Sequence, residues 1–335
     1  MNILFTCAGR RVALLDAFRR ALTELDLDGK LLAADVTYAS PAYHKADGGL
    51  IVPPTDRPEY VPALLEAVRT HQVSLLVPLT DLDLLLLAHR RQEFADLGCT
   101  VMIASEPTVR LCRDKARFSQ ALTSAGLPGI RTCTLEEFST RPFYPCFLKP
   151  VTGSAGIGAG QVRDAMELTA HVAIYGPDML VQEYIPGQEF TIDVYRTRAG
   201  EVRCVVPRQR LAVRSGEVEK GVTVKDDGLT QAAIRLASAM GDLWGVFCCQ
   251  CRRPNQRSLP RFFEINPRFG GGVPLSIAAG ANLPLYLLQE IAGLEVTAQL
   301  GRFTDHLLML RYDEAVFVRL DDASSLPGHD TPEFR

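Results

Sequence analysis

Residues 261–272, Arg261-Phe262-Phe263-Glu264-Ile265-Asn266-Pro267-Arg268-Phe269-Gly270-Gly271-Gly272, read as a strand that stops at a proline and runs into a glycine turn. In a strand, Glu264 and Asn266 lie two residues apart and point to one face. A carboxylate and an amide oxygen on one face are hard ligands suited to Mg²⁺, which also takes phosphate oxygens and water. Arg268 follows as a permanently charged group able to reach the same phosphate. Residues 246–251 form another apolar strand. In a hairpin closed around Pro254 to Pro260, Gln250 sits beside Glu264 and contributes a further oxygen. A solvated polar face is the plain alternative, for which Asn-Pro-Arg-Phe-Gly-Gly-Gly is an unusual exit.

Working outward, Lys149-Pro150-Val151-Thr152-Gly153-Ser154-Ala155-Gly156-Ile157-Gly158-Ala159-Gly160 places a lysine at a strand end before a glycine-rich loop. Bare backbone N–H groups close around phosphate oxygens, and the lysine adds a point charge. The order of residues is not that of a Walker A loop, since the lysine precedes the glycines. A glycine hairpin with only a turning role is the alternative. Between the two segments, Val181-Gln182-Glu183-Tyr184-Ile185-Pro186-Gly187-Gln188-Glu189 brings two strands to a Pro-Gly turn. Backbone donors and acceptors beside apolar residues suit an adenine ring, and Glu189 suits ribose hydroxyls, although any hairpin offers as much.

The first hundred residues alternate strand and helix patterns. Strands are expected over 3–7, 31–35, 50–52, 73–77 and 100–104, and helices over 12–22, 60–70 and 82–94. Such alternation implies right-handed crossovers and an open parallel sheet, whose ligands lie beyond the carboxyl ends of the strands. Ala8-Gly9-Arg10-Arg11 has one glycine where the dinucleotide fingerprint needs three. Arg10, Asp35, Thr80 and Asp81 fall at strand ends along one edge, as a small-molecule pocket or, for Asp81, as a helix cap. Beyond Ser105 a helix over 107–125 leads to strands at hairpin spacing with one helix over 229–240, an α+β pattern.

Composition sets the outer bounds. A length of 335 residues suits about two domains. At 47% hydrophobic and 22% charged, the chain is of ordinary globular composition. With 36 basic against 39 acidic residues, no sequence-wide field attracts nucleic acid or an anionic membrane. No apolar run approaches the roughly 20 residues of a membrane span, and residues 2–9 read as strand and turn rather than leader, so a cytoplasmic setting is expected. Nine scattered cysteines argue against a disulfide framework, and Cys248-Cys249-Gln250-Cys251 reads as buried thiols in a core strand. None of the six histidines falls in these motifs.

Taken in order, the segments resemble the ATP-grasp superfamily, and within it the carbamoyl-phosphate-synthase-like, carboxylate–amine ligase branch. The resemblance implies an α/β protein: an N-terminal open parallel-sheet domain (pre-ATP-grasp, Rossmann-like) over 1–105, then an α+β ATP-grasp domain of two subdomains. These would span 106–180 and 181–320, with a polar tail over 321–335. It implies Lys115 and Lys149 as phosphate-binding cations, Ser154 to Gly160 (with Ser154, Gly156 and Gly158) as the loop over the phosphates, and Glu183, Tyr184 and Ile185 as the adenine hinge. Glu189 matches the ribose carboxylate, Gln250, Glu264 and Asn266 the metal ligands, and Arg268 the phosphate arginine. ATP and Mg²⁺ follow as cofactors, two ions being expected and Mn²⁺ a substitute. The implied reaction activates a carboxylate as acyl phosphate and joins it to an amine. Substrate-holding candidates are Arg10 and Asp81, then Arg208 and Arg210, which share parity with Arg214, and Lys220. The partners expected are small molecules, with a homodimer compatible. Competing readings are a nucleotide-binding protein without ligation and an ATP-grasp kinase or carboxylase; the short C-terminus disfavours a biotin-type carboxylase.

Overall fold

The computed structural model describes residues 1–151, 158–214 and 216–319. They divide into two compact units. One is Met1–Ile103 with Pro284–Thr297 and the segment from Tyr312 on; the other is Ala104–Leu283 with Ala298–Arg311.

The first unit runs β1 (Asn2–Thr6), α1 (Val12–Glu24), β2 (Leu31–Asp35), α2 (Pro41–Lys45), β3 (Gly48–Ile51), α3 (Tyr60–His71), β4 (Val73–Pro78), α4 (Leu84–His89), α5 (Arg91–Asp96) and β5 (Thr100–Val101). Its strands are parallel in the order β3-β2-β1-β4-β5. The apolar stripe of α1 is buried at Leu14, Leu15, Ala17, Phe18, Ala21 and Leu22. Phe18 meets Phe5 of β1 edge-on at 4.9 Å between ring centres. The helix expected over 82–94 is two helices. The Arg90 N–H closes the first on the Leu86 carbonyl, and the Arg90 carbonyl accepts from Glu93 N–H to open the second.

A polar knot lies at the carboxyl end of this sheet. Asp83 is fully buried; its Oδ2 accepts from Thr6 Oγ1 at 2.5 Å and Tyr60 Oη at 2.9 Å, and its Oδ1 makes no hydrogen bond. Burial pushes the Asp83 carboxyl above the usual carboxylate range, against the opposing pull of those two donors. A pKa raised on folding gives stability that is full below the unfolded value, about 3.9, and is lost as pH rises through the folded one. Asp83→Asn keeps an acceptor for Thr6 and Tyr60 and removes the titration. The melting temperature of the variant minus that of wild type should therefore increase from pH 4 to pH 8 in scanning calorimetry; a pH-independent difference contradicts this.

The second unit runs α6 (Glu106–Arg113), α7 (Lys115–Ser124), β6 (Thr132–Thr134), α8 (Leu135–Thr140), β7 (Cys146–Pro150), β8 (Gly160–Val162), α9 (Ala165–Tyr175), β9 (Met179–Glu183), β10 (Gln188–Arg196), β11 (Val202–Arg214), β12 (Glu217–Thr223), α10 (Asp227–Ala239), β13 (Gly245–Arg253), β14 (Arg261–Asn266) and α11 (Val273–Ala278). Next come α12 (Leu283–Ile291), which from Pro284 belongs to the first unit, and β15 (Leu308–Leu310). The helix expected over 107–125 breaks at Asp114, which is extended (φ −92°, ψ 104°). Its Oδ1 accepts from Arg117 N–H at 3.0 Å, so the carboxylate caps a new helix instead of continuing the old one.

Two antiparallel sheets organise this unit. The smaller, β6-β9-β7-β8, packs Phe138, Cys146, Leu148, Val162, Met179 and Val181 into its own core. The larger has the order β14-β13-β10-β11-β12-β15. Cys248, Cys249 and Cys251 are buried in β13, where burial first of all pushes the Cys248 thiol up to about 12. A thiol so shifted stays neutral and is no nucleophile. No helix among the described residues is long and apolar enough to cross a membrane.

Candidate functional site

Strand register alone gathers most of the chemistry onto one face of the larger sheet. Glu264 pairs with Gln250, Gln250 with Thr191, Thr191 with Arg208, and Arg208 with Thr223, a single row across five strands. Directly paired residues share a face. The expected hairpin of β13 and β14 therefore sets Gln250 beside Glu264. Asn266, two residues along, donates its Nδ2 to Glu264 Oε1 at 2.8 Å, which leaves the amide oxygen as its acceptor. Arg268 lies just beyond, its Nη1 donating to the Phe269 carbonyl at 3.0 Å. From the smaller sheet, Lys149 on β7 holds its Nζ 4.5 Å from the ring centre of Phe263, the residue before Glu264.

The donor set is chemically particular. Among the described residues no three His, Cys, Asp or Glu side chains cluster as metal ligands. Gln250, Glu264 and Asn266 offer one carboxylate and two amides. Such a set fits Mg²⁺ that brings phosphate oxygens with it better than it fits the bare ion.

The segment expected as the hinge, Glu183 to Glu189, is tied down on both sides. Glu183 ends β9 and its N–H donates to the Arg131 carbonyl at 2.9 Å. Ile185 is buried, and its carbonyl accepts from Arg252 Nη1 at 2.9 Å. Gly187 has φ +96°, and a Cβ there would overlap the backbone of Arg253 and Pro254, so only glycine lets the turn lie against the end of β13. Glu189 is flanked by two arginines, with Arg210 Nε at 3.0 Å and Arg252 Nε at 3.4 Å from its carboxylate oxygens.

Other expected residues fall differently. Arg208 is not on the surface: it is 1% exposed, and Nε and Nη2 grip Asp193 at 2.7 and 2.9 Å, while Nη1 has no hydrogen-bond partner. Arg210 donates to Thr191 Oγ1 and the Gly216 carbonyl besides meeting Glu189. The parity argument for Arg214 fails because the β11–β12 register shifts between Arg210 and Ala212 and again before Val213. Arg214 pairs instead with Glu219 at 3.6 Å. Lys220 is exposed on β12. Arg10 and Asp81 sit in the loops after β1 and β4, adjacent parallel strands, and Asp35 accepts from Gly9 N–H at 2.8 Å in the same rim. Asp83, not Asp81, occupies the position before α4, with no side-chain cap bond. Ser154 and Gly156 lie outside the described residues, as does the Lys115 side chain.

Gly158 is described, with φ +71° and its carbonyl accepting from His171 Nε2 at 2.9 Å. His171, Asp193 and Arg252 belong to none of the sequence motifs. His171 is tied to the loop across 13 residues, and a histidine on a helix carries no local mark of such a contact.

Comparison with known proteins follows the same division. The model of a PylC-like N-terminal domain matches residues 3–102. A family described as "ATP-grasp in the biosynthetic pathway with Ter operon" matches residues 176–312. D-alanine–D-alanine ligase from Pseudomonas putida (strain GB-1) is 36% identical over 95 residues, 26% of this chain and 30% of that enzyme. The chain thus matches under a third of that relative's length. N5-carboxyaminoimidazole ribonucleotide synthetase in complex with ADP superposes with a TM-score of 0.72 at 16% identity, over 90% of this chain and 79% of the other. Biotin carboxylase from Campylobacter jejuni gives 0.71 at 18%, over 92% and 74%. At these identities the two structures establish the fold.

Proposed function

We propose, from the match of residues 176–312 to an ATP-grasp family and from the shared fold, that this chain is an ADP-forming ligase that activates a carboxylate with ATP and joins it to an amine. One observation carries the reading: Gln250, Glu264 and Asn266 share a sheet face, with Arg268 beyond them and Lys149 beside the same strand.

A carboxylate oxygen attacks the γ-phosphorus, the bond to ADP breaks, and an acyl phosphate forms. An amine nitrogen then attacks the acyl carbon, phosphate leaves and the amine loses a proton. Two anions must meet in the first step, so charge neutralisation and alignment are what the protein supplies. Lys149 and Arg268 lower the repulsion between the carboxylate and the phosphates, with Lys115 as a third cation. Gln250, Glu264 and Asn266 would hold Mg²⁺, which when bound screens the phosphate oxygens; two ions are expected, with Mn²⁺ as a substitute. Tyr184 and Ile185 seat the base between apolar surface and backbone groups. Arg10 and Asp81 offer a cation and an anion at one strand-end rim of the first unit, suited to a zwitterionic or anionic substrate. That none of the nine cysteines is joined in a disulfide accords with a reducing cytoplasm.

The test is ADP release across pairs of amino acids and small carboxylates, with hydroxylamine as a trap that converts an acyl phosphate to a hydroxamate. Release that needs Mg²⁺, a carboxylate and an amine, with hydroxamate formed when hydroxylamine replaces the amine, supports the reading. ADP release indifferent to every carboxylate, or failure to bind the magnesium nucleotide, overturns it.

A further inference from the structure

We propose that Arg252 is a positioning residue of the nucleotide seat, locking the base hinge and the Glu189 carboxylate into one rigid unit and thereby setting preference for adenine. The inference rests on the nucleotide reading above and names a residue outside the motifs that led to it. Arg252 lies opposite Glu189 in the β10–β13 register. Its guanidinium does three things at once. Nη1 donates to the Ile185 carbonyl at 2.9 Å, Nε stands 3.4 Å from Glu189 Oε2, and the fork lies 5.7 Å from the ring centre of Tyr184.

One nitrogen of the planar group hydrogen-bonds the peptide carbonyl while Nε, which makes no hydrogen bond, brings the charge beside the carboxylate, a division a lysine ammonium cannot reproduce. With the Ile185 carbonyl engaged, the peptide planes of the hinge are held in one orientation, and so are the donor and acceptor offered to a base. The Pro186-Gly187 turn is held from the other side, where it lies directly on the Arg253–Pro254 backbone. Arg210 Nε stands 3.0 Å from the second oxygen of Glu189, an ion pair without a hydrogen bond, so that carboxylate lies between two cations before any ribose arrives. Two guanidinium groups around one carboxylate also leave this end of the face net positive, which favours a polyphosphate. Adenine and guanine present opposite donor and acceptor patterns at their hinge-facing edge, and a hinge free to turn its peptide planes accepts both.

The experiment measures Mg²⁺–ADP and Mg²⁺–GDP affinities by calorimetric titration, with melting temperatures alongside. Arg252→Ala should weaken ADP binding at least tenfold and reduce the ADP-to-GDP preference at least fivefold. Arg252→Lys keeps a charge beside Glu189 without the hydrogen bond to the Ile185 carbonyl, and should still bind ADP at least threefold more weakly than wild type. Arg252→Met, which retains the apolar stem, serves if the alanine variant does not fold. If wild type binds ADP while the variants match it in affinity and base preference, Arg252 has no such role and the nucleotide reading stands. Arg252 likewise loses the role if the lysine variant is fully rescued or if only the melting temperatures fall. If wild type binds neither nucleotide, both proposals fall.

Discussion

Glu264→Gln should lower ATP turnover by at least about 100-fold, equal to about 2.7 kcal/mol of transition-state stabilisation, while leaving the melting temperature almost unchanged. Glu264 is the only carboxylate in the Gln250, Glu264 and Asn266 set, and glutamine preserves its shape and the hydrogen bond from Asn266 in altered form. What it removes is the charge. Two amides that remain are weak partners for a divalent ion, and the phosphates then keep their repulsion for the incoming carboxylate. Calorimetric titration provides the companion measurement. Wild type should show Mg²⁺ binding only when nucleotide is present, because a single carboxylate leaves most of the coordination to phosphate oxygens and water. ADP release by the variant within tenfold of wild type, or tight binding of Mg²⁺ alone, contradicts the assignment.

How far the sequence could carry such an argument depends on whether the relevant contact is local. Glu264 and Asn266 are two residues apart, so strand periodicity alone places them together. Gln250 joins them through one short hairpin, the expected register and the observed one agreeing. The parallel order of the first unit likewise follows from alternating strands and helices. Burial is a different matter. Asp193 and Arg208 also meet through consecutive paired strands, but no pattern near either residue says that both are buried. Three arginines at positions 208, 210 and 214 suggest one solvent-facing clamp, yet the register shifts after Arg210 and Arg208 points into the protein. Arg252 is hidden by distance along the chain: its partners, Ile185 and Glu189, lie more than sixty residues away. Asp114 shows the local version of the difficulty. Propensity over residues 107–125 favours one helix, whereas a single carboxylate that prefers to cap divides it.

Removing one side of the Arg208–Asp193 pair should cost far more than removing both. Arg208 and Asp193 are 1% and 0% exposed, and Ser276 on α11 adds a third member by donating its Oγ to Asp193 Oδ2 at 2.6 Å. The glycine turn after Arg268 lies over them. A Cβ at Gly272 would overlap Arg208 Nη1 and Val218, and one at Gly270 would stand 3.3 Å from Asp193 Oδ1. Arg208→Met leaves a buried carboxylate with a hydroxyl as its remaining side-chain donor, at a cost of about 3–5 kcal/mol. The double variant Arg208→Met with Asp193→Leu leaves no buried charge. Because Nη1 of Arg208 already lacks a hydrogen-bond partner, the intact pair is itself imperfectly compensated. The double variant should therefore recover most of the stability lost by the single one, as read by chemical denaturation. Activity separates the two properties. The pair lies under the turn that carries Arg268 into place, so the double variant should fold well and still turn over ATP more slowly than wild type. A single variant within about 1 kcal/mol of wild type, below the usual range for such a break, would show that the pair is not carrying an uncompensated charge. Full activity in a stable double variant would show that the turn holds Arg268 without it.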